Sequence, residues 1–103
     1  MAYRRYYIRA GARTTAGGTV RASSQFRILG GAPLAREGDA VDCPACNTQG
    51  RIACVMPRLP SSFEGRAYAL SDDVCVCECS PPPKLVADQD LKFQVLGEHG
   101  SAD

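Results

Sequence analysis

The sequence contains no Trp, and only three Phe and four Tyr among 103 residues. Large core anchors are therefore few. A chain this short buries a modest share of its surface, so packing alone barely offsets the entropy of ordering it. Histidine is nearly absent too, since His99 is the single one and lies close to the C-terminus. That removes the commonest general base, leaves no Cys–His pair, and argues against an enzyme. No stretch is apolar enough to span a membrane or to act as a secretory h-region, because Arg4, Arg5 and Arg9 interrupt the N-terminus. The chain is thus expected to start in a reducing cytosol, and any export would use a route without a cleaved signal. Acidic residues are missing from the first third: seven Arg and no Asp or Glu precede Glu37, after which five basic residues face eleven acidic ones. Net charge is only +1. The asymmetry suits a nucleic-acid surface, or Arg-bearing strands that meet the acids of the other half in the fold; the second is the expectation.

What is present is turn-forming and sulfur-rich: ten Gly, seven Pro and six Cys. Short β-type runs alternate with turn residues along the whole chain. Tyr6–Ala10, Thr19–Ala22, Phe26–Leu29, Arg51–Val55 and Val74–Cys79 are all bounded by Gly or Pro. Runs of this length with this punctuation predict strands and an all-β fold. The chain also repeats itself. Gly31, Ala35, Asp39 and Cys43 recur 34 residues later as Gly65, Ala69, Asp73 and Cys77, and Gly18-Thr19-Val20 matches Gly50-Arg51-Ile52. A repeat implies one supersecondary unit used more than once, each copy burying its apolar face on the others. A third copy is sought in Tyr6–Ala10 together with Lys84–Ala87. Leu91–Val95 alternates like a strand, while Ala87, Leu91 and Val95 also fit one helical face. Residues 97–103 are polar and expected to be disordered.

Cys43-Pro44-Ala45-Cys46 is a knuckle that brings two thiols together. Cys75-Val76-Cys77-Glu78-Cys79 sets three thiols on one face of an extended segment. Neighbours at i and i+2 are roughly 6.6 Å apart along a strand, with parallel Cβ vectors, which suits ligation of a shared ion better than bridging. Four thiolates suit structural Zn²⁺, whose binding can supply folding free energy on the order of 10 kcal/mol. The expected ligands are Cys43, Cys46, Cys77 and Cys79, with Cys75 as the substitute for either of the last two. Cys54 reads as core packing and His99 as a solvated side chain. Asp39, Asp42, Asp72 and Asp73 fall in turns, where Asp caps backbone groups rather than performing catalysis. A redox dithiol and a disulfide framework remain as alternatives for the cysteines.

The order of these pieces resembles the PAAR-repeat proteins that tip the type VI secretion spike. Thr14-Thr15-Ala16-Gly17-Gly18-Thr19-Val20 matches the family's T-x-x-G-G-x-V opening. Gly31-Ala32-Pro33-Leu34-Ala35-Arg36-Glu37-Gly38-Asp39 matches its G-x-P-x-A-x-x-G-D segment. Cys43-Pro44, Gly50-Arg51-Ile52, Gly65–Asp73 and Pro81-Pro82-Pro83-Lys84-Leu85 fit a cysteine-rich branch. The resemblance implies a small conical β-structure with pseudo-threefold symmetry, a metal near its tip, and a broad base docked on the trimeric spike protein VgrG. It also implies effector or adaptor partners, transient contact with a target membrane and passage through the type VI apparatus into a target cell or the medium. Many members carry His where this chain has Ala16, so only Cys43 transfers directly as a ligand position. On this reading residues 1–87 form the PAAR-like domain and 88–103 a partly disordered tail too short for a fused toxin, since a minimal domain needs about 50 residues. The competing class is a zinc-ribbon-like binding module for nucleic acid or protein. Against it, 30 residues separate Cys46 from Cys77, where such modules use roughly 15–20.

Overall fold

The computed structural model describes residues 2–23 and 27–97. Twelve short strands make up the regular structure: β1 (Ala2–Tyr6), β2 (Arg13–Thr14), β3 (Thr19–Val20), β4 (Ile28–Leu29), β5 (Ala32–Pro33), β6 (Ala40–Cys43), β7 (Thr48–Ala53), β8 (Ser62–Phe63), β9 (Arg66–Ala67), β10 (Val74–Val76), β11 (Leu85–Val86) and β12 (Phe93–Gly97). No helix occurs among the described residues. The chain is a short all-β cone with extents of 44 × 31 × 24 Å.

The pseudo-threefold symmetry is written in backbone hydrogen bonds. Ile8 N–H donates to the Ala69 carbonyl, Ala69 N–H to Ala35, and Ala35 N–H back to Ile8, closing a ring. All three residues are fully buried. Two of the three are Ala because the backbones meet where there is little room for side chains. From this ring the same pattern radiates three times. Gly11, Gly38 and Asp72 donate to the carbonyls of Val20, Ile52 and Leu85, whose own amides return bonds to Ala12, Asp39 and Asp73. The first members share a positive φ (92°, 88° and 72°), the left-handed conformation that explains Gly at two of the three positions. Each unit then forms a hairpin: β2–β3, β6–β7 and β10–β11.

These hairpins join side by side in one six-stranded sheet, ordered β10-β7-β6-β3-β2-β11. A Val74–Lys84 bridge links its two outer strands and nearly closes it into a barrel. Inside lie equivalent side chains in sets of three, among them Val20, Ile52 and Leu85. Three two-stranded flaps, β4–β5, β8–β9 and β1–β12, lead into the units. Under them packs a second cluster of Tyr7, Leu34, Tyr68 and Leu70. Tyr7, Leu34 and Tyr68 are again equivalent, donating to the carbonyls of Lys92, Arg27 and Ser61.

Several sequence expectations are refined here. The third copy is not assembled from Tyr6–Ala10 and Lys84–Ala87. Tyr6–Ala10 opens the first copy, which β3 closes, whereas Lys84 and Leu85 close the third. The copies run over residues 6–20, 33–52 and 67–85, and the short first hairpin hides its alignment with the others. The 91–95 segment bends at Leu91 and Lys92 and enters a strand at Phe93 instead of forming a helix. β12 pairs with β1 in register Tyr6–Phe93 to Ala2–Gly97, and so gives the first copy what β4 and β8 give the other two. Phe26 and His99 lie outside the described residues.

The Asp that recurs in the repeat has a structural task. Asp73 is fully buried; its carboxylate accepts from the amides of Leu70 (2.8 Å) and Val55 (2.9 Å) and from Arg5 (2.7 Å) and Arg58 (2.9 Å). Its equivalent Asp39 accepts from the Arg36 amide (2.9 Å), the Ser23 hydroxyl (2.6 Å) and Arg66. Each carboxylate thereby ties its own turn to the segment leaving the preceding hairpin, satisfying donors that burial would otherwise orphan. Among the described residues, four of the seven early Arg meet acids of the later chain: Arg5 with Asp73, Arg9 with Asp88, Arg21 with Asp42 and Arg36 with Glu64. Arg5 and Arg36 are buried rather than exposed on strand faces.

Candidate metal centre

Each hairpin ends in a loop, and the cysteines gather where two of these loops meet. Cys43 is the last residue of β6 and points inward, 2% exposed. Cys46 follows in the turn leading to β7, where Asn47 takes a positive φ of 57° that Asn tolerates. β10 stops at Val76, so Cys77 and Cys79 lie in the bend that leads to Pro81 instead of continuing one strand face. This corrects the expected single extended segment. The break allows the chain to curl Cys77 and Cys79 toward the knuckle, while Cys75 remains on the strand, fully buried in the core with Val41 and Leu85.

The sulfurs of Cys43, Cys46, Cys77 and Cys79 all lie within 4.8 Å of one another. The Cys43 and Cys79 sulfurs are 3.6 Å apart. A tetrahedral ion with bonds of about 2.3 Å to sulfur sets its ligands about 3.8 Å apart, so this spacing already fits a metal. The fold thus brings together the four thiols named from the sequence and leaves the substitute, Cys75, outside. Gly50 makes the approach possible. A Cβ there would lie 2.6 Å from the Val76 carbonyl oxygen and 2.7 Å from the Cys75 sulfur, so any side chain would push the second and third hairpins apart.

The thiols are electrostatically unequal. A 2.9 Å contact with the Thr48 hydroxyl is the main influence holding the Cys46 thiol down to about 6, with the Glu78 backbone, Cys43 and Cys77 adding to it against the opposing effect of burial. Cys46 is therefore a thiolate near neutral pH, the form that binds metal. Cys79 is pushed up to about 12, first by the hydrogen bond to Cys43 and then by burial. A cation that displaced its proton would relieve this crowding, since metal ligands must be deprotonated. Cys75 is likewise raised to about 12, chiefly by burial and then by Cys77. Cys54 packs against the core with its sulfur 4.0 Å from the Tyr68 carbonyl, and burial raises it to about 12. Both read as inert structural thiols.

Symmetry adds a feature that the sequence did not disclose. Thr14, Val41 and Cys75 follow the equivalent residues Ala12, Asp39 and Asp73 at the same interval, so two residues further on Ala16, Cys43 and Cys77 occupy corresponding places. The first loop offers no ligand there. Instead its turn is closed by Thr14, whose hydroxyl accepts from the amides of Ala16 (3.2 Å) and Gly18 (2.9 Å). The second and third loops each supply an additional Cys, Cys46 and Cys79. Two loops with two thiols each replace a contribution from all three. The missing signal was the register between copies, which the unequal loop lengths obscure.

The four thiols stand in a metal-binding arrangement that joins the second and third hairpin loops. Comparison with known proteins gives one match: the family model of the PAAR motif covers residues 10–82, from the first copy to the prolines that precede β11. No curated protein and no solved structure matches the chain. The match spans most of the sequence and takes in all three hairpin loops, so the chain belongs to the PAAR motif family, the spike-tip type of protein associated with type VI secretion.

Proposed function

We propose that this protein is a non-enzymatic tip that caps the trimeric VgrG spike, with Zn²⁺ held by Cys43, Cys46, Cys77 and Cys79 tying its hairpins together. The observation that carries the reading is the closed ring of Ile8, Ala35 and Ala69 with three flaps disposed about it. A single chain that presents three equivalent flaps fits a partner with true threefold symmetry. Short flap strands leave backbone groups on their outer edges, and pairing with strand ends of the spike would satisfy them. In this reading residues 1–87 carry the tip unit, and the 88–103 segment contributes β12 to the first flap. For effectors or adaptors, the exposed Met56 and Leu59 at an open cleft of about 330 Å³ give a surface. The protein would be made in the bacterial cytoplasm and exported through the type VI apparatus, touching the target membrane briefly.

The zinc-ribbon alternative loses support because most of the early Arg are already engaged. Arg5 and Arg36 are buried, Arg9 and Arg21 are paired, Arg4 and Arg27 lie over Phe93 and Phe63, and Arg13 bonds the Gly17 carbonyl. Co-purification with a trimeric VgrG spike protein tests the reading. One chain per VgrG trimer is expected, weakened by Ile28→Asp on the exposed face of the second flap. Failure to bind the spike, combined with salt-dependent binding to nucleic acid, would overturn it.

A further inference from the structure

Cys43 and Cys79 belong to different hairpins, 36 residues apart in sequence, yet their sulfurs touch at 3.6 Å. Of the other thiols, Cys77 lies in the same cluster within 4.8 Å, and three have partners of their own. Cys46 is held by the Thr48 hydroxyl, Cys75 lies in the core, and Cys54 sits against the Tyr68 carbonyl. Closing the last gap to a disulfide of about 2.05 Å needs a shift of roughly 1.5 Å. Both sulfurs sit at loop ends, where such a shift disturbs no strand pairing beyond Cys43–Thr48. We propose that Cys43 and Cys79 are a disulfide-forming pair, which ties the second and third hairpins covalently when the chain meets an oxidising compartment without its metal.

The chemistry balances with a low-molecular-weight disulfide as oxidant. One protein thiolate attacks that disulfide, forms a mixed disulfide and releases one small thiolate. The second protein thiolate then attacks the cysteine sulfur of the mixed disulfide and releases the other. The protein loses two electrons to the oxidant, the two small thiols take up the two protons, and any Zn²⁺ bound by these sulfurs leaves as the free dication. Ion and disulfide are thus alternative staples across the same contact: the ion serves in a reducing cytoplasm, and the bond serves outside it. The crosslink would span a long segment, the situation in which constraining the unfolded chain counts most. The inference rests on the metal-clasp reading only for the competition between zinc and oxidation; the pairing itself does not need it.

The test treats the full chain, zinc-loaded or chelated, with oxidised glutathione, followed by trypsin and mass spectrometry without reduction. The chelated protein is expected to lose about 2 Da, the mass of two hydrogens, and to yield the 37–51 peptide linked to the 67–84 peptide. Fragmentation of the linked pair should place the bond at Cys43 and Cys79, and Cys75→Ser should leave it unchanged. Zinc loading should slow the reaction about tenfold or more. A bond confined to the 37–51 peptide (Cys43 to Cys46), a link through Cys75 or Cys77, or glutathione adducts that never resolve would each overturn the pairing. A protein that takes up no zinc but still forms the crosslink would remove the clasp and leave this proposal standing.

Discussion

The ring of backbone bonds and the sulfur end of the same molecule treat threefold symmetry in opposite ways. At the ring, Ile8, Ala35 and Ala69 repeat one another closely, and every donor finds the next copy's carbonyl. At the sulfur end the first loop carries Ala16 where the other two carry Cys43 and Cys77, and Cys46 and Cys79 make up the count. The contrast shows which demand is strict. Backbone pairing around an axis requires three equal copies, because one missing strand leaves open edges. A tetrahedral ion needs only four donors, and two loops can furnish them.

If that division holds, the largest effect should come from removing the ion. Chelation is expected to lower stability by an amount on the order of 10 kcal/mol, read as a large fall in thermal midpoint. Amide exchange should rise at Cys43, at residues 45–48 and at residues 77–80, and far less at the ring. Equal loosening of the first loop would break the comparison.

Next in size is the loss of a buried carboxylate. Asp73→Ala strands Arg5 and Arg58 without their partner and should cost about 3–5 kcal/mol in denaturant unfolding. The exposed pair of Arg21 and Asp42 should contribute little by comparison, since solvent and salt screen it. Gly50→Ala sharpens the link between regions. The added methyl would overlap the Val76 carbonyl and the Cys75 sulfur, so a cost of about 1–3 kcal/mol is expected, together with weaker metal binding.

The smallest effect concerns alkaline pH. Cys54 is raised to about 12 in the fold, whereas an unfolded thiol ionises near 8.5. The folded state then binds the proton more tightly than the unfolded one. Stability is therefore unaffected at neutral pH and declines as pH rises above roughly 8.5 toward the folded value. Cys54→Ala should make that decline shallower in a pH series of unfolding curves, with the part due to Cys75 remaining.

Much of the architecture was legible in the sequence, and the parts that were not have identifiable physical causes. Turn residues around short β-type runs disclosed an all-β fold, and the spacing of Ala35 with Ala69 and of Asp39 with Asp73 disclosed the repeat. The knuckle and the 75–79 segment also drew attention to the four thiols that the fold brings together. The first copy stayed hidden because its hairpin is short and has Ala12 where the others have Asp. The strand was drawn too long at Val74–Cys79, since alternation continues in the sequence after the backbone has bent. That β12 completes the first flap was not readable either, because nothing local in Phe93–Gly97 encodes its distant pairing with Ala2–Tyr6.

Native mass spectrometry with metal analysis on the intact chain and on single Cys→Ser variants addresses the clasp itself. The account predicts one zinc per chain, retained in the Cys54 and Cys75 variants and lost or strongly weakened in those of Cys43, Cys46, Cys77 and Cys79. Protein purified under reducing conditions that carries no metal, or that keeps it in the Cys46 and Cys79 variants, would contradict a centre built by two loops.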